Sequence, residues 1–136
     1  MPRFVVLTHN HPFLHWDFML ELGESLRAWR LSAEPDSGGE ISAEPLPDHR
    51  LEYLDYEGPV SGDRGDVTQW DRGEYELIAE SPEKLTVQLH GKKLKGRTTL
   101  QSGPENSSIQ YSVLNPQSSI FNPQHSQYLT FLFVPE

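Results

Sequence analysis

Alternation of apolar and polar residues at every second position is the feature that most limits the fold of this chain. It recurs in short runs, whereas no window of helical length carries a sustained 3.6-residue apolar period. The 11 prolines and 10 glycines are spread through the 136 residues and would interrupt long helices. We therefore predict a mainly β fold, in which many short strands favour a small barrel or a sandwich.

Seven candidate strands precede a polar stretch near the end of the chain, and an eighth follows it. They are Phe4–His9, Phe13–Leu22, Leu26–Leu31, Val67–Asp71, Tyr75–Ala79, Lys84–His90, Arg97–Leu100 and Tyr128–Val134. Turn-rich residues such as Asp71-Arg72-Gly73 separate most of them. We predict an exposed acidic loop over 32–47 and a mobile polar insertion over 101–125. The length predicts a single domain over 1–136.

The composition excludes several classes of protein. The chain has no cysteine, so a disulfide framework, a thiolate zinc site and a cysteine nucleophile are all excluded. Eleven basic against 20 acidic residues give a net charge of −9, which argues against a protein that coats nucleic acid nonspecifically. The sequence shows neither a signal peptide nor an apolar run long enough to span a membrane, so we expect a cytoplasmic protein without a membrane partner.

Three histidines and an aspartate lie within residues 9–17. On a strand over Phe13–Leu22, every second residue from 14 to 22 would face the core, and His15, Asp17 and Met19 would face the other way. His9 can reach this pair if the short connection folds back. Two imidazoles and one carboxylate leave coordination positions open for water and substrate, as catalytic metals require. The alternative is a group of solvated surface histidines beside a turn.

His49 and Tyr53 form a second candidate pair. Their four-residue interval places them on one side of either a helical turn or a strand. An imidazole can donate to a phosphoryl oxygen or serve as an acid, and a phenol can donate to the same group. The alternative is an amphipathic segment that packs Leu51 and Leu54 into the core.

Residues 84–97 carry five cations and no acidic residue. Lys92, Lys93, Lys95 and Arg97 lie in a predicted hairpin, where they could contact a phosphate backbone and release counterions. An ordinary charged turn between two strands is the equal alternative.

Together these segments resemble the 3′-phosphoesterase domain of bacterial ATP-dependent DNA ligase D, including its stand-alone forms. Five blocks match in the same order over most of residues 3–100. They are Phe4-Val5-Val6 before His9; Leu14-His15-Trp16-Asp17-Phe18 with Leu20-Glu21; Asp48-His49 with Leu51-Glu52-Tyr53 and Asp55-Tyr56-Glu57-Gly58; Trp70-Asp71-Arg72-Gly73; and Leu89-His90-Gly91 with Leu94-Lys95-Gly96-Arg97.

The resemblance implies a small curved β-barrel of about eight strands with long polar loops. It also implies manganese-dependent removal of a 3′ phosphate, or of a terminal ribonucleoside followed by its phosphate, from DNA ends during repair by end joining. His9, His15 and Asp17 match the metal ligands of the family, with zinc or another transition metal as alternatives to manganese. His49 and Tyr53 match its phosphate-contacting pair.

The partners that the resemblance implies are DNA 3′ ends on a primer-template, together with a DNA ligase or other end-joining proteins. The expected location is the cytoplasm, with the protein associated with the nucleoid when it acts on DNA.

Three positions depart from the family pattern. Met19 and Ile41 stand where the family usually has arginine, and Pro47 stands where it has glutamate. An arginine fork holds a phosphate bidentately and offsets charge in the transition state. Either Arg50, Arg72 and the basic hairpin supply the missing charge, or the chain is a divergent member with weak or altered activity. On the predicted strand, an arginine at position 19 would point at the bound phosphate.

Two other functions are consistent with these residues. The three departures are in keeping with a non-catalytic module that binds DNA ends or proteins on the same barrel. A non-haem iron oxygenase would combine His15 and Asp17 with His49 or His90. Such oxygenases usually need an arginine late in the chain, and none follows Arg97.

Overall fold

The computed structural model of the protein describes residues 1–102 and 129–136. These residues contain nine strands, all paired antiparallel, and one 3₁₀ turn, which confirms the mainly β prediction. The elements are β1 (Arg3–His9), β2 (His15–Leu22), β3 (Ser25–Leu31), β4 (Ile41–Arg50), the 3₁₀ turn (Leu51–Leu54), β5 (Gly58–Pro59), β6 (Asp66–Ser81), β7 (Lys84–Gly91), β8 (Lys95–Ser102) and β9 (Leu129–Pro135).

The sheet closes on itself into a ring. Its strand order is β1-β2-β3-β4-β9-β8-β7-β6, and β6 pairs back onto β1, while the two-residue β5 adds to the edge of β6. Each of the eight strands in the ring contributes buried apolar side chains to one cluster, which is therefore the interior of the ring. Its members include Phe4, Phe18, Trp29, Ile41, Tyr75, Val87, Leu100 and Phe131.

A second apolar cluster lies on the outer face of the first three strands. Alternation along β1 sends Phe4 and Val6 into the ring and turns Val5 and Leu7 outward. The outward cluster consists of Val5, Leu7, Met19, Leu26, Ala28, Leu54 and Val67, and the 3₁₀ turn packs over it. Because both faces of β2 are covered, His15 and Asp17 lie in a buried layer and not on a solvated surface.

Several predicted element boundaries differ from those of the structure. Leu14 and Leu22, predicted to face the core, are exposed, and β2 begins at His15. The predicted strands Val67–Asp71 and Tyr75–Ala79 form one continuous strand, β6, so the turn predicted at 71–73 is wrong. Gly73 lies there because the backbone of β7 at His90 leaves no room for a Cβ atom. Close strand approach, and not turn formation, explains this glycine.

The predicted acidic loop is shorter than expected. Strand β4 begins at Ile41 because residues 41–43 pair with β9 and residues 43–50 pair with β3. Only residues 32–40 remain as a connection. The predicted polar insertion over 101–125 falls outside the described residues except for 101 and 102, which end β8. In the part of the chain that is described, no helix has the length and hydropathy of a membrane span.

Candidate metal centre and its cleft

His9, His15 and Asp17 meet at one end of the β1–β2 hairpin. His9 and His15 lie directly opposite each other in the strand register, and their rings are 4.8 Å apart. Asp17 follows two residues after His15 on the same face of β2. One ligand atom from each of the three side chains lies within 4.8 Å of the others, so the group could hold a metal ion.

Backbone carbonyls fix the orientation of both imidazoles. His15 Nδ1 lies 2.8 Å from the carbonyl oxygen of Phe13, and His9 Nε2 lies 2.9 Å from that of Arg64. Each of these nitrogens must donate its proton, because a carbonyl can only accept. The second nitrogen of each neutral ring then carries a lone pair. These second nitrogens face Asp17, at 3.1 Å from His15 Nε2 to Oδ1 and 3.3 Å from His9 Nδ1 to Oδ2, and the latter contact is a hydrogen bond when the ring of His9 carries both protons.

The arrangement fits a divalent cation. His15 Nε2 and Asp17 Oδ1 are buried and have no hydrogen-bond partner among the described residues. Lone pairs that face each other in a buried site repel, and a buried polar atom without a partner is costly. A cation that accepts all three donor atoms removes both penalties, and carbonyls that orient the far ring nitrogens are the usual outer contacts of histidine ligands. Imidazole and carboxylate donors suit manganese, iron or zinc.

The cluster lies in an open cleft of about 580 Å³, a size that accommodates a small ligand. His49 from β4 and Tyr53 from the 3₁₀ turn line the same cleft, with their ring centroids 5.7 Å apart. The Nδ1 of His49 donates to the carbonyl of Pro47 at 2.8 Å, which leaves Nε2 as the nitrogen available to a ligand. The structure thus brings together all five residues predicted as metal ligands and catalytic pair.

The cleft is less acidic than the rest of the chain. Among the described residues that line it are three arginines, two aspartates and four histidines, in a protein of net charge −9. Arg30 lies directly opposite Asp17 in the β2–β3 register. Arg50 is largely exposed and 3.8 Å from Glu52, and the guanidinium of Arg64 hydrogen-bonds to Ser61. An anion that enters the cleft therefore meets positive charge in an otherwise acidic molecule.

The other residues predicted to bind DNA lie outside this cleft. Lys92, Lys93, Lys95 and Arg97 are exposed on the hairpin between β7 and β8. The buried carboxylate of Asp71 accepts hydrogen bonds from the backbone N–H groups of residues 92–94, which holds this hairpin in shape. Arg72 pairs with Asp55 at 2.6 Å. A role of these five residues in DNA binding stays a prediction.

The three departures from the family pattern lie in different surroundings. Met19 lines the floor of the cleft and is only 1% exposed within the outward apolar cluster. Ile41 packs inside the ring, away from the cleft, so charge at this position would not face the metal ligands. Pro47 lines the cleft and supplies the carbonyl that orients His49.

The ligand set proposed for an iron oxygenase is not the one that the fold assembles. The third donor beside His15 and Asp17 is His9. His90, on β7, lies 3.5 Å from Glu76 on the neighbouring strand β6. It does not line the cleft. His49 lines the cleft without joining the three-residue ligand cluster.

Sequence reasoning missed Arg30 and the carbonyl of Arg64. Alternation along β3 predicts which residues share a face: Leu26, Ala28 and Arg30 on one, and Arg27, Trp29 and Leu31 on the other. Only the β2–β3 register places Arg30 opposite Asp17. Arg64 belongs to a turn after β5, and its carbonyl reaches His9 across 55 residues of sequence. No local pattern could have indicated that contact.

Comparison with known proteins identifies a family. Residues 7–102 match the family model described as the DNA Ligase D 3′-phosphoesterase domain. The chain is 35% identical over 105 residues to the multifunctional non-homologous end joining protein LigD of Pseudomonas aeruginosa, and the match covers 70% of the chain. It is 33% identical over 106 residues to LigD of Mycobacterium tuberculosis, covering 71%, and 31% identical over 117 residues to LigD of Mycolicibacterium smegmatis, covering 72%.

These relatives are much longer proteins. The matched part is 12% of the Pseudomonas aeruginosa protein, 14% of the Mycobacterium tuberculosis protein and 15% of the Mycolicibacterium smegmatis protein. The likeness therefore concerns one segment of each relative. The three candidate metal ligands and the predicted catalytic pair all lie within the part of this chain that matches the family model.

Proposed function

The chain belongs to the DNA ligase D 3′-phosphoesterase domain family, and from this premise we propose that it is a metal-dependent phosphoesterase that processes DNA 3′ ends. The proposed substrate is a primer-template that carries a 3′ phosphate, or a terminal ribonucleoside that is removed before its phosphate. A role in end joining beside a DNA ligase, in the cytoplasm and at the nucleoid, belongs to the same proposal.

One observation carries the proposal. Two imidazoles, each fixed through its far nitrogen by a backbone carbonyl, flank the buried carboxylate of Asp17, and neither His15 Nε2 nor the Asp17 Oδ1 that it faces has a hydrogen-bond partner among the described residues. A purely structural role for His15 and Asp17 would be expected to satisfy these atoms within the protein. We therefore assign His9, His15 and Asp17 to a divalent cation, and we propose manganese.

The bound cation would supply Lewis-acid polarisation of the phosphoryl group and orientation of the attacking oxygen. The protein residues around it divide the remaining tasks. Because Nδ1 of His49 donates to the carbonyl of Pro47, Nε2 can donate only from the imidazolium form, and in that form we propose that it gives a hydrogen bond to a phosphoryl oxygen or a proton to the departing 3′ oxygen. Tyr53, packed edge-on against His49, holds the phosphate through its hydroxyl group.

The test is release of inorganic phosphate from a 3′-phosphorylated primer-template with manganese. We expect His15→Ala to lose both bound metal and activity. His49→Ala should keep the metal and lose a hundredfold or more in rate, which is typical for loss of one oriented donor. His90→Ala is the matched control, because this histidine lies outside the cleft, and it should leave both properties unchanged.

Two results would overturn the assignment. Unchanged metal stoichiometry in His15→Ala would remove the metal centre from these residues. Absence of phosphate release above a metal-free control, across several metals and with both substrate types, would favour a non-catalytic module that binds DNA ends.

A further inference from the structure

The phosphate-binding arginine that the family pattern places at position 19 is absent, and the structure offers one replacement. Arg30 lies opposite Asp17 in the register of β2 and β3, and side chains opposite each other in an antiparallel pair stand on the same face. It therefore approaches the metal ligands from the neighbouring strand. Position 28, opposite Met19, is an alanine and carries no charge.

The guanidinium of Arg30 is positioned but incompletely paired. Its Nε is buried and has no hydrogen-bond partner among residues 1–102 and 129–136. Its NH1 lies 3.6 Å from the mostly exposed carboxylate of Glu44, and the group rests over the ring of Phe13 at 5.5 Å. The side chain is 26% exposed, so the guanidinium is held at the edge of the cleft with donors to spare.

The two other arginines of the cleft are less suited to this task. The side chain of Arg50 is 83% exposed, and an exposed, solvated cation binds an anion weakly. The guanidinium of Arg64 is held by hydrogen bonds to the backbone and hydroxyl oxygens of Ser61. Arg30 alone among the three combines a partly buried guanidinium with a buried nitrogen that lacks an acceptor.

We propose that Arg30 binds the terminal phosphate of the DNA 3′ end and supplies the charge that Met19 lacks. A guanidinium presents paired N–H donors that match two oxygens of a phosphate, and Nε is one of those donors. The assignment rests on the function proposed above. It also gives Glu44 a role, because its carboxylate competes with the phosphate for the same guanidinium.

Equilibrium binding to a non-hydrolysable end tests this assignment without turnover. Two primer-templates are compared with manganese present, one ending in a 3′ phosphonate with a methylene bridge and one in a 3′ hydroxyl. We expect the protein to prefer the phosphonate end. Arg30→Gln should weaken binding of that end about 10- to 100-fold and leave the hydroxyl end unchanged. Arg30→Lys should restore part of the loss.

Two matched variants control for charge. Arg3→Gln removes an equal charge from an arginine that pairs with Glu21 outside the cleft, and it should keep the preference. Glu44→Gln should bind the phosphonate end several-fold more tightly, since it removes the competing anion. Glu76→Gln changes the charge equally, beside His90, and should have no such effect. Thermal unfolding of each variant checks that it is folded.

The outcomes separate this assignment from the proposed catalysis. A preference for the phosphonate end that survives in Arg30→Gln, or no preference in the parent protein, overturns the role of Arg30. If the preference is lost in Arg30→Gln while the parent releases no phosphate with any metal, the phosphate site stands and the catalytic proposal falls. If Arg30→Gln weakens both ends equally, Arg30 has only a structural role.

Discussion

Replacement of Asp17 by asparagine should have opposite effects on stability with and without metal. In the metal-free protein, Asp17 is 3% exposed, and its Oδ1 lies 3.1 Å from His15 Nε2. Neither atom has a hydrogen-bond partner among the described residues. Asparagine has nearly the same shape and brings an N–H group that can donate to His15 Nε2. The variant satisfies a buried polar atom that the parent leaves unpaired.

The expected size follows from that one atom. A buried acceptor without a partner costs about 1–3 kcal/mol, so metal-free Asp17→Asn should be more stable than the parent by that amount. For a chain of this length, the gain corresponds to a rise in melting temperature of roughly 3 to 15 °C. Manganese at 100 times its dissociation constant should stabilise the parent by about 2.7 kcal/mol. The variant, which lacks the carboxylate ligand, should gain little.

Thermal unfolding in a chelator and then in manganese measures both effects. Asp48→Asn is the matched control, because Asp48 lines the same cleft but is exposed and hydrogen-bonded by Ser25. It should change stability little in either buffer. If metal-free Asp17→Asn is no more stable than the parent, the carboxylate is already satisfied, for example by a protonated imidazole. If manganese stabilises both proteins equally, Asp17 is not a ligand.

Three further predictions concern other parts of the molecule. Met19→Arg should lower the free energy of unfolding by about 2–4 kcal/mol in a denaturant titration, because position 19 is buried among apolar side chains. Met19→Leu should lower it far less. Replacing Lys92, Lys93, Lys95 and Arg97 with glutamine should weaken DNA binding and reduce its salt dependence with little change in melting temperature, and undiminished binding at low salt would exclude this surface. Hydrogen bonds from Arg3 hold the pKa of Glu21 below its usual value of 4.5. The pair therefore stabilises the fold above pH 4.5, and this stabilisation is lost as the pH falls through the lower pKa of the folded state. Glu21→Gln should therefore show a shallower loss of stability in acid, and identical acid profiles would contradict the reasoning.

Local pattern in the sequence determined the strand content and the proximity of the three candidate metal ligands. Alternation predicted the strands and placed His15 and Asp17 side by side, because neighbours at every second position share a face in any strand. It also allowed His9 to join them, since a hairpin needs only a short connection and the two strands are consecutive. These features depend on residues at most eight positions apart, and the fold confirms their proximity.

Long-range pairing decided the rest. Arg30 stands opposite Asp17 because β2 and β3 pair in one particular register, and His49 with Tyr53 lines the cleft because β4 pairs with β3; a local pattern specifies neither register. The carbonyl that orients His9 comes from Arg64 through a turn 55 residues away. The same effect joined two predicted strands into β6, since hydrogen bonds to β1 and β7 on either side outweigh the turn propensity of residues 71–73. Sequence therefore specified which side chains share a strand face, whereas closure of the ring determined which faces meet around the cleft.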